Sequence, residues 1–323
     1  VWYRRDDPMF EDPHRLANGN LISIVGYNRI EEADMLGNVV AAWHADQHPN
    51  AEAVEHVPDG SIPVAAETFH HDVQEMPSGN LLTLSTEMRV IPEYPKSIED
   101  PSTTETANVI GDVIIEFSRD GSLVNEWRLM DLLDVTRLGY ESLGTIWDIW
   151  AYGDVEGGTR DWSHANSVYF DPDTDSILVS LRHQEAVISF SRTTGELNWI
   201  LGAHDNWGPQ WAPYLLEPLG DVQWPFHQHA AEVTQSGSVI IFDNGNFRAL
   251  PPQTPMAGSE AYSRAVEYMI DARAKTVAQI WSYGGPGEDA FFSPFISEAD
   301  RLPVTCNVLI TDGGRVEDEQ GKQ

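Results

Sequence analysis

The chain has 323 residues, 51 of them acidic against 19 basic, for a formal net charge of −32, and a single cysteine. That charge excludes nucleic acid, whose phosphates need a basic face, and disfavours an anionic membrane surface; it suits a heavily hydrated secreted, periplasmic or salt-exposed protein. Cys306 alone makes neither an internal disulfide nor a cysteine zinc site, and no apolar run approaches the roughly 20 residues that span a bilayer.

In chain order, Trp2 in VWYRR reads as the tail of a truncated unit, and LANGNLISI at 16–24 as a turn leading into an apolar strand. NVVAAW closes a strand on Trp43. His71 then opens HDVQEMPSGNLLTLS, with the turn glycine Gly79 eight residues on, and SLVNEW closes on Trp127. LMDLLDV at 129–135 predicts a short helix beside a long connection over 136–163. His164 opens HANSVYFDPDTDSILVSLR, in which an Asp-rich turn replaces the glycine one, and GELNW closes on Trp199. Residues 200–226 are rich in Trp and Pro and lack strand alternation, which predicts a loop covering one face. His229 opens HAAEVTQSGSVIIFD, again with a glycine, Gly237, eight residues later, and TVAQIW closes on Trp281. LPVTCNVLITD at 302–312 repeats the turn, with Cys306 expected as a small core residue of a strand.

Units of roughly 40–60 residues, each made of four short strands, are the signature of propeller blades. The expected fold is therefore all-β: one β-propeller domain over 1–323, trimmed at both ends, with four-stranded antiparallel blades around a central channel. Six blades are expected, or five if the N-terminal strand closes the last one. Radial repetition carries like positions to one axis, so His71, His164 and His229 should converge. Strand alternation turns His70 away from His71 and puts His227 on the face of His229. DPDTDS at 171–176 lacks the glycine and distal glutamate of an EF-hand and reads as a solvated turn.

Three imidazoles can hold a catalytic zinc or copper ion, or one of them can attack an electrophile while the others stabilise the moving group. Arg182, in the return strand after His164, favours the second reading, because a guanidinium repels a cation and forks onto a tetrahedral oxyanion. No metal is expected on that reading.

FHHDVQEMPSGN, DWSHANSVYFDPDTDSILVSLRHQ and HQHAAEVTQSGSVIIFDNGNFR, in this order, closely resemble the bacterial PAPS-independent arylsulfate sulfotransferases over roughly residues 65–250. The resemblance implies a six-bladed propeller that moves a sulfuryl group from an aryl sulfate to a phenol, by a ping-pong route through a sulfated histidine and without a nucleotide cofactor. Matched position by position, His229 corresponds to the nucleophile, His71 and His164 to the two further central histidines, Arg182 to the arginine of SxRHQ, and Asn166 to the polar residue two places after the SHANS histidine. His71 is favoured here as the acid/base. His227 and the loop aromatics Trp207, Trp211, Trp224 and Phe226 are candidates for contact with the phenyl ring. The expected partners are small aryl sulfates and phenols, with self-association left open, and the expected location is periplasmic or extracellular. The single cysteine departs from better-known members, which carry a cysteine pair. Aryl sulfate hydrolysis on the same centre, or a non-catalytic or metal-binding scaffold, are the competing readings.

Overall fold

β-branched runs such as SILVSL and AVISFS, too short for helices and bounded by turn residues, pair with one another in sequence order. A computed structural model describes residues 10–50, 52–53, 57–287 and 290–314; the Trp2 segment lies outside them. The first blade is β1 (Phe10–Arg15), β2 (Leu21–Val25), β3 (Arg29–Ala33) and β4 (Val39–Ala45), with β5 (Ile62–Val64) added in parallel at the rim. The second is β6 (His70–Glu75), β7 (Leu81–Pro95) and β8 (Thr104–Phe117), whose outer side takes β9 (Leu123–Arg128) and a short parallel strand, β10 (Thr159–Asp161). Between these last two lie the one-turn helices α1 (Leu129–Leu132) and α2 (Trp147–Trp150); α1 covers only the first half of the helix expected over 129–135.

The third blade is β11 (Ala165–Asp171), β12 (Ser176–Leu181), β13 (Ala186–Ser191) and β14 (Leu197–Gly202). A two-residue strand, β15 (Glu217–Pro218), lines the rim of the fourth, which runs β16 (His229–Val233), β17 (Val239–Asp243), β18 (Arg264–Asp271) and β19 (Thr276–Gly284). β20 (Glu298–Arg301) and β21 (Val308–Thr311) form a further antiparallel pair. The described residues thus hold four antiparallel blades and two strands of a fifth, so the expected count of six is not reached among them.

Neighbouring blades meet along their inner strands. Val168 N–H of β11 donates to Asp72 Oδ2 of β6 at 2.8 Å, Phe170 N–H to Gln74 Oε1 at 2.6 Å, and Ala231 N–H of β16 to Ser167 Oγ at 3.0 Å. On β11 and β16, edge N–H groups are thereby satisfied by side chains of the blade before. The apolar core is layered between blades. Trp43 of β4 packs on Phe117 of the second blade, with ring centroids 6.3 Å apart, and donates from Nε1 to the Arg119 carbonyl at 3.0 Å. Trp127 of β9 packs on Phe190 of the third at 5.7 Å, Trp199 lies among side chains of the fourth, and Trp281 among those of the β20–β21 pair. The tryptophan that ends each unit is a wedge into the next blade.

Beside three of these layers an ion pair repeats: Arg119 to Glu32, Arg192 to Glu116 at 2.8 Å, and Arg301 to Glu267, each arginine reaching back to a buried glutamate of the preceding blade. Cys306 is not in the core; it is exposed in the β20–β21 turn at φ 58°. At 171–176 the Asp171 carboxylate accepts from Asp173 N–H at 3.1 Å and from the Thr174 hydroxyl at 2.6 Å, a turn closing on itself.

Replacing Asp72 with Ala leaves the buried Val168 N–H without its acceptor and should cost about 1–3 kcal/mol. The urea midpoint should fall with the slope unchanged; an unaltered midpoint would show that the tie between the second and third blades is dispensable.

Candidate active site

Each complete inner strand is interrupted near its start by a β-bulge: between Glu11 and His14, His70 and Val73, Ala165 and Ser167, and His229 and Glu232. Left-handed residues sit at or beside these bulges, with φ of 38° at Asp12, 60° at His71, 46° at His164 and 52° at Ala230. Outside glycine this conformation costs roughly 1–2 kcal/mol per residue, and a bulge re-aims the side chains around it. Here the re-aimed positions open onto one cavity of about 950 Å³.

His71, His164, His229, Arg182 and Asn166 all line that cavity, so the structure brings together the five residues that the sequence placed at the centre. The rings of His71 and His164 are 5.1 Å apart. His70 does not line the cavity: its ring is fully buried against Trp147, with Nδ1 2.9 Å from His71 Nδ1, because the bulge and the left-handed His71 break the expected alternation. Arg182 begins a single 3-10 turn after β12, its N–H donating to the His164 carbonyl at 3.1 Å. Its Nη1 bonds Glu141 Oε2 and lies 2.8 Å from His183 Nε2. Among the described residues nothing holds Nε or Nη2, which leaves three N–H donors on two nitrogens for an anion.

His227, Trp207 and Trp224 do not line the cavity. The left-handed backbone of His227, at φ 50°, breaks the alternation with His229. Its ring is wholly buried, with Nδ1 2.6 Å from Glu185 Oε1 and the face of Phe247 at 5.1 Å. Trp207 packs under the Arg137 guanidinium at 4.1 Å and beside Trp211, and Trp224 packs against His204 at 5.6 Å. These tryptophans anchor the long loop to the outside of the blades. The cavity's aromatic wall comes from elsewhere: Trp150 of α2, stacked on Tyr27 at 4.6 Å and 16°, with its ring 5.7 Å from His164. Ile146, Ile149 and Phe295 extend this apolar side.

Polar partners that the sequence reading passed over set the state of each imidazole. Asp161 Oδ2 lies 2.5 Å from His164 Nδ1 and is itself steadied by Trp147 Nε1–H, which donates to Oδ1 at 3.1 Å. His229 Nδ1 lies 2.7 Å from Asn244 Oδ1. Burial, reinforced by the positive charge of Arg182, pushes the His229 ring down to about 3, and burial holds His71 and His183 well below their ordinary range. Burial opposes ionisation of Glu141, yet the His227 ring and the Arg182 guanidinium outweigh it and hold this carboxyl far below the usual range. The His71, His183 and His229 rings are therefore neutral beside one guanidinium–carboxylate pair. Two clusters in it, Glu141–His183–His227 and Asp161–His164–His183, have the donor types of a metal site. In the first, Arg182 already binds Glu141 and His183; in the second, the ring nitrogens facing Asp161 are taken by its carboxylate and carbonyl.

Fold and site together define a β-propeller with histidines, an arginine and an aromatic wall around one cavity. The chain belongs to the arylsulfotransferase (ASST) family, whose model matches residues 1–323. It is 32% identical over 248 residues to the arylsulfate sulfotransferase AssT of Escherichia coli O6:H1, covering 64% of this chain and 40% of that protein. With AssT of Lelliottia amnigena it shares 31% over 227 residues, 59% of this chain and 37% of the other. The matched region thus spans about two fifths of these relatives. Among solved structures, a protein of unknown function from Bacteroides caccae aligns at 13% identity and TM-score 0.42, over 84% of this chain and 66% of that one. The Dos1 propeller aligns at 10% and 0.36, over 94% and 76%.

An imidazole attacks only when unprotonated, and with its proton lost above about 3 the His229 ring stays neutral through the range where a free histidine titrates. By NMR, the His229 ring should show no titration as pH is lowered through about 6.5; a midpoint there would show an ordinary, exposed imidazole.

Proposed function

We propose that this chain transfers a sulfuryl group from an aryl sulfate to a phenol, with His229 as the nucleophile of a ping-pong reaction. The observation that carries this reading is the placing of a buried, neutral His229 in one cavity with an arginine that has donors to spare, a carboxylate-backed imidazole and an aromatic wall. Sulfuryl transfer resembles phosphoryl transfer in its loose, planar transition state, so positioning and charge stabilisation supply most of the catalysis. In the first half-reaction the His229–sulfur bond forms as the sulfur–oxygen bond to the aryl group breaks. Arg182 Nε and Nη2 take the sulfuryl oxygens, and the aryl ring lies along Trp150.

A phenoxide of pKa about 10 departs as the phenol if a proton reaches it in time. The geometry favours His164 over His71 for that proton, because a carboxylate behind an imidazole stabilises positive charge developing on the ring, and Asp161 stands behind His164. In the second half-reaction His164 takes the acceptor's proton as its oxygen attacks sulfur and the nitrogen–sulfur bond breaks. Asn166 suits the acceptor side: Nδ2 donates to the Gln228 carbonyl at 2.8 Å, leaving the buried Oδ1 without a partner. A carbonyl oxygen accepts a phenol O–H and would repel a sulfate oxygen.

Enzyme quenched after mixing with p-nitrophenyl sulfate and no acceptor should gain the mass of one SO3 on the peptide holding His229. A label on another histidine would move the nucleophile, and turnover with no label would mean direct transfer. Release of nitrophenol that does not rise with added phenol would favour a hydrolase.

Arg182→Lys keeps the charge but loses the fork and should lower turnover about 10- to 1000-fold. Asp161→Asn should lower it by about 100- to 10,000-fold, with a deficit that grows as the leaving phenol becomes less acidic; a deficit independent of the leaving group would remove His164 from the acid role.

A further inference from the structure

The amide facing His229 cannot turn over. Asn244 follows β17 in FDNG, fully buried, and its Nδ2 donates to the Ser293 carbonyl at 2.8 Å and the Ile296 carbonyl at 2.9 Å. Flipping the amide would set its oxygen against both of those carbonyls and its hydrogens against His229. The backbone is equally committed. The Asn244 carbonyl accepts from Ser263 Oγ at 2.7 Å, and Gly245, at φ 79°, would put a Cβ only 2.0 Å from the Tyr262 carbonyl oxygen. An acceptor fixed 2.7 Å from Nδ1 requires that Nδ1 carry the proton, which leaves the lone pair of the neutral ring on Nε2.

We infer that Asn244 is the positioning residue that keeps one proton on Nδ1 of His229 through both half-reactions, and that an amide stands there because a carboxylate would take that proton. This rests on His229 being the nucleophile. When Nε2 bonds sulfur with Nδ1–H in place, the ring becomes an imidazolium bearing SO3⁻. In the second half-reaction the nitrogen–sulfur pair of electrons returns to Nε2, and a neutral imidazole leaves. If Nδ1 gave up its proton, the group leaving would be an imidazolate, a far stronger base and a poorer leaving group. A neutral acceptor orients the ring without drawing off the proton, whereas Asp161 behind His164 suits a ring that must gain and lose one.

The test separates the two half-reactions. Nitrophenol release without acceptor measures sulfoenzyme formation, and loss of the SO3 label on adding phenol measures transfer; rates are scaled to burst amplitude so that a partly folded preparation still reports. In Asn244→Asp, formation should hold or quicken while transfer slows by about 10- to 100-fold, so sulfoenzyme accumulates. In Asn244→Ala, which frees the tautomer, formation should slow by a similar factor, about 10- to 100-fold, while transfer from whatever sulfoenzyme forms is kept. The Ala variant carries the test if the Asp variant does not fold. If wild-type label lies off the His229 peptide, the nucleophile and this role fall together. If the label is on His229 and each variant slows both half-reactions by one factor, only the role of Asn244 falls.

Discussion

Everything in this fold follows from blades that have no core of their own and must bury both faces against their neighbours. The tryptophan wedges at Trp43, Trp127, Trp199 and Trp281 fill those layers, and the Arg119–Glu32, Arg192–Glu116 and Arg301–Glu267 pairs lock three of the seams from the side. Packed this way, the inner strands lie side by side, and the residues that open them lie together although they are distant in sequence. A constraint of shape alone collects His71, His164 and His229. The bulges then decide which side chain of each strand looks into the cavity, at the expense of left-handed backbone that only a well-supported scaffold sustains.

The electrostatics of the cavity run against those of the molecule. A chain of net charge −32 repels any anion at long range, and that repulsion is screened within about 10 Å at 0.1 M salt. What an anion meets inside is different: imidazoles stripped of charge by burial, and one guanidinium whose Glu141 partner engages only Nη1. Neutral rings are ready nucleophiles and add no positive charge to compete with Arg182 for the anion. The same burial makes a lone charge expensive, which explains why Arg182 comes with Glu141, and His164 with Asp161.

The strands, their turns and the central histidines were legible in the sequence because each repeats. Glycine eight residues after His71 and His229 marks a register that recurs, and a periodic signal survives without tertiary knowledge. Glu141 was not legible, since it lies in the unpatterned connection at 136–163 and meets Arg182 only through the fold. The loop tryptophans misled for the reverse reason. Trp207 and Trp224 sit in a conspicuous aromatic segment, yet composition does not say which side of a loop faces the cavity, and Arg137 and His204 hold them elsewhere. Trp150, alone in the α2 turn, carried no pattern. Asp161 and Asn244 stand inside the DWSHANS and FDNG segments without a signal of their own, because partners of the central rings are recognised by distance rather than by spacing along the chain.

The carbonyls of Ser293 and Ile296 that hold Asn244 belong to the stretch leading into β20, after the fourth blade. The orientation of the His229 ring is thus secured by residues 64 and 67 positions downstream of it. A chain emerging from the ribosome has all its central histidines before it has the segment that aligns one of them. A copy that ends before Ser293 therefore carries His71, His164 and His229 without the two carbonyls that fix the amide beside His229.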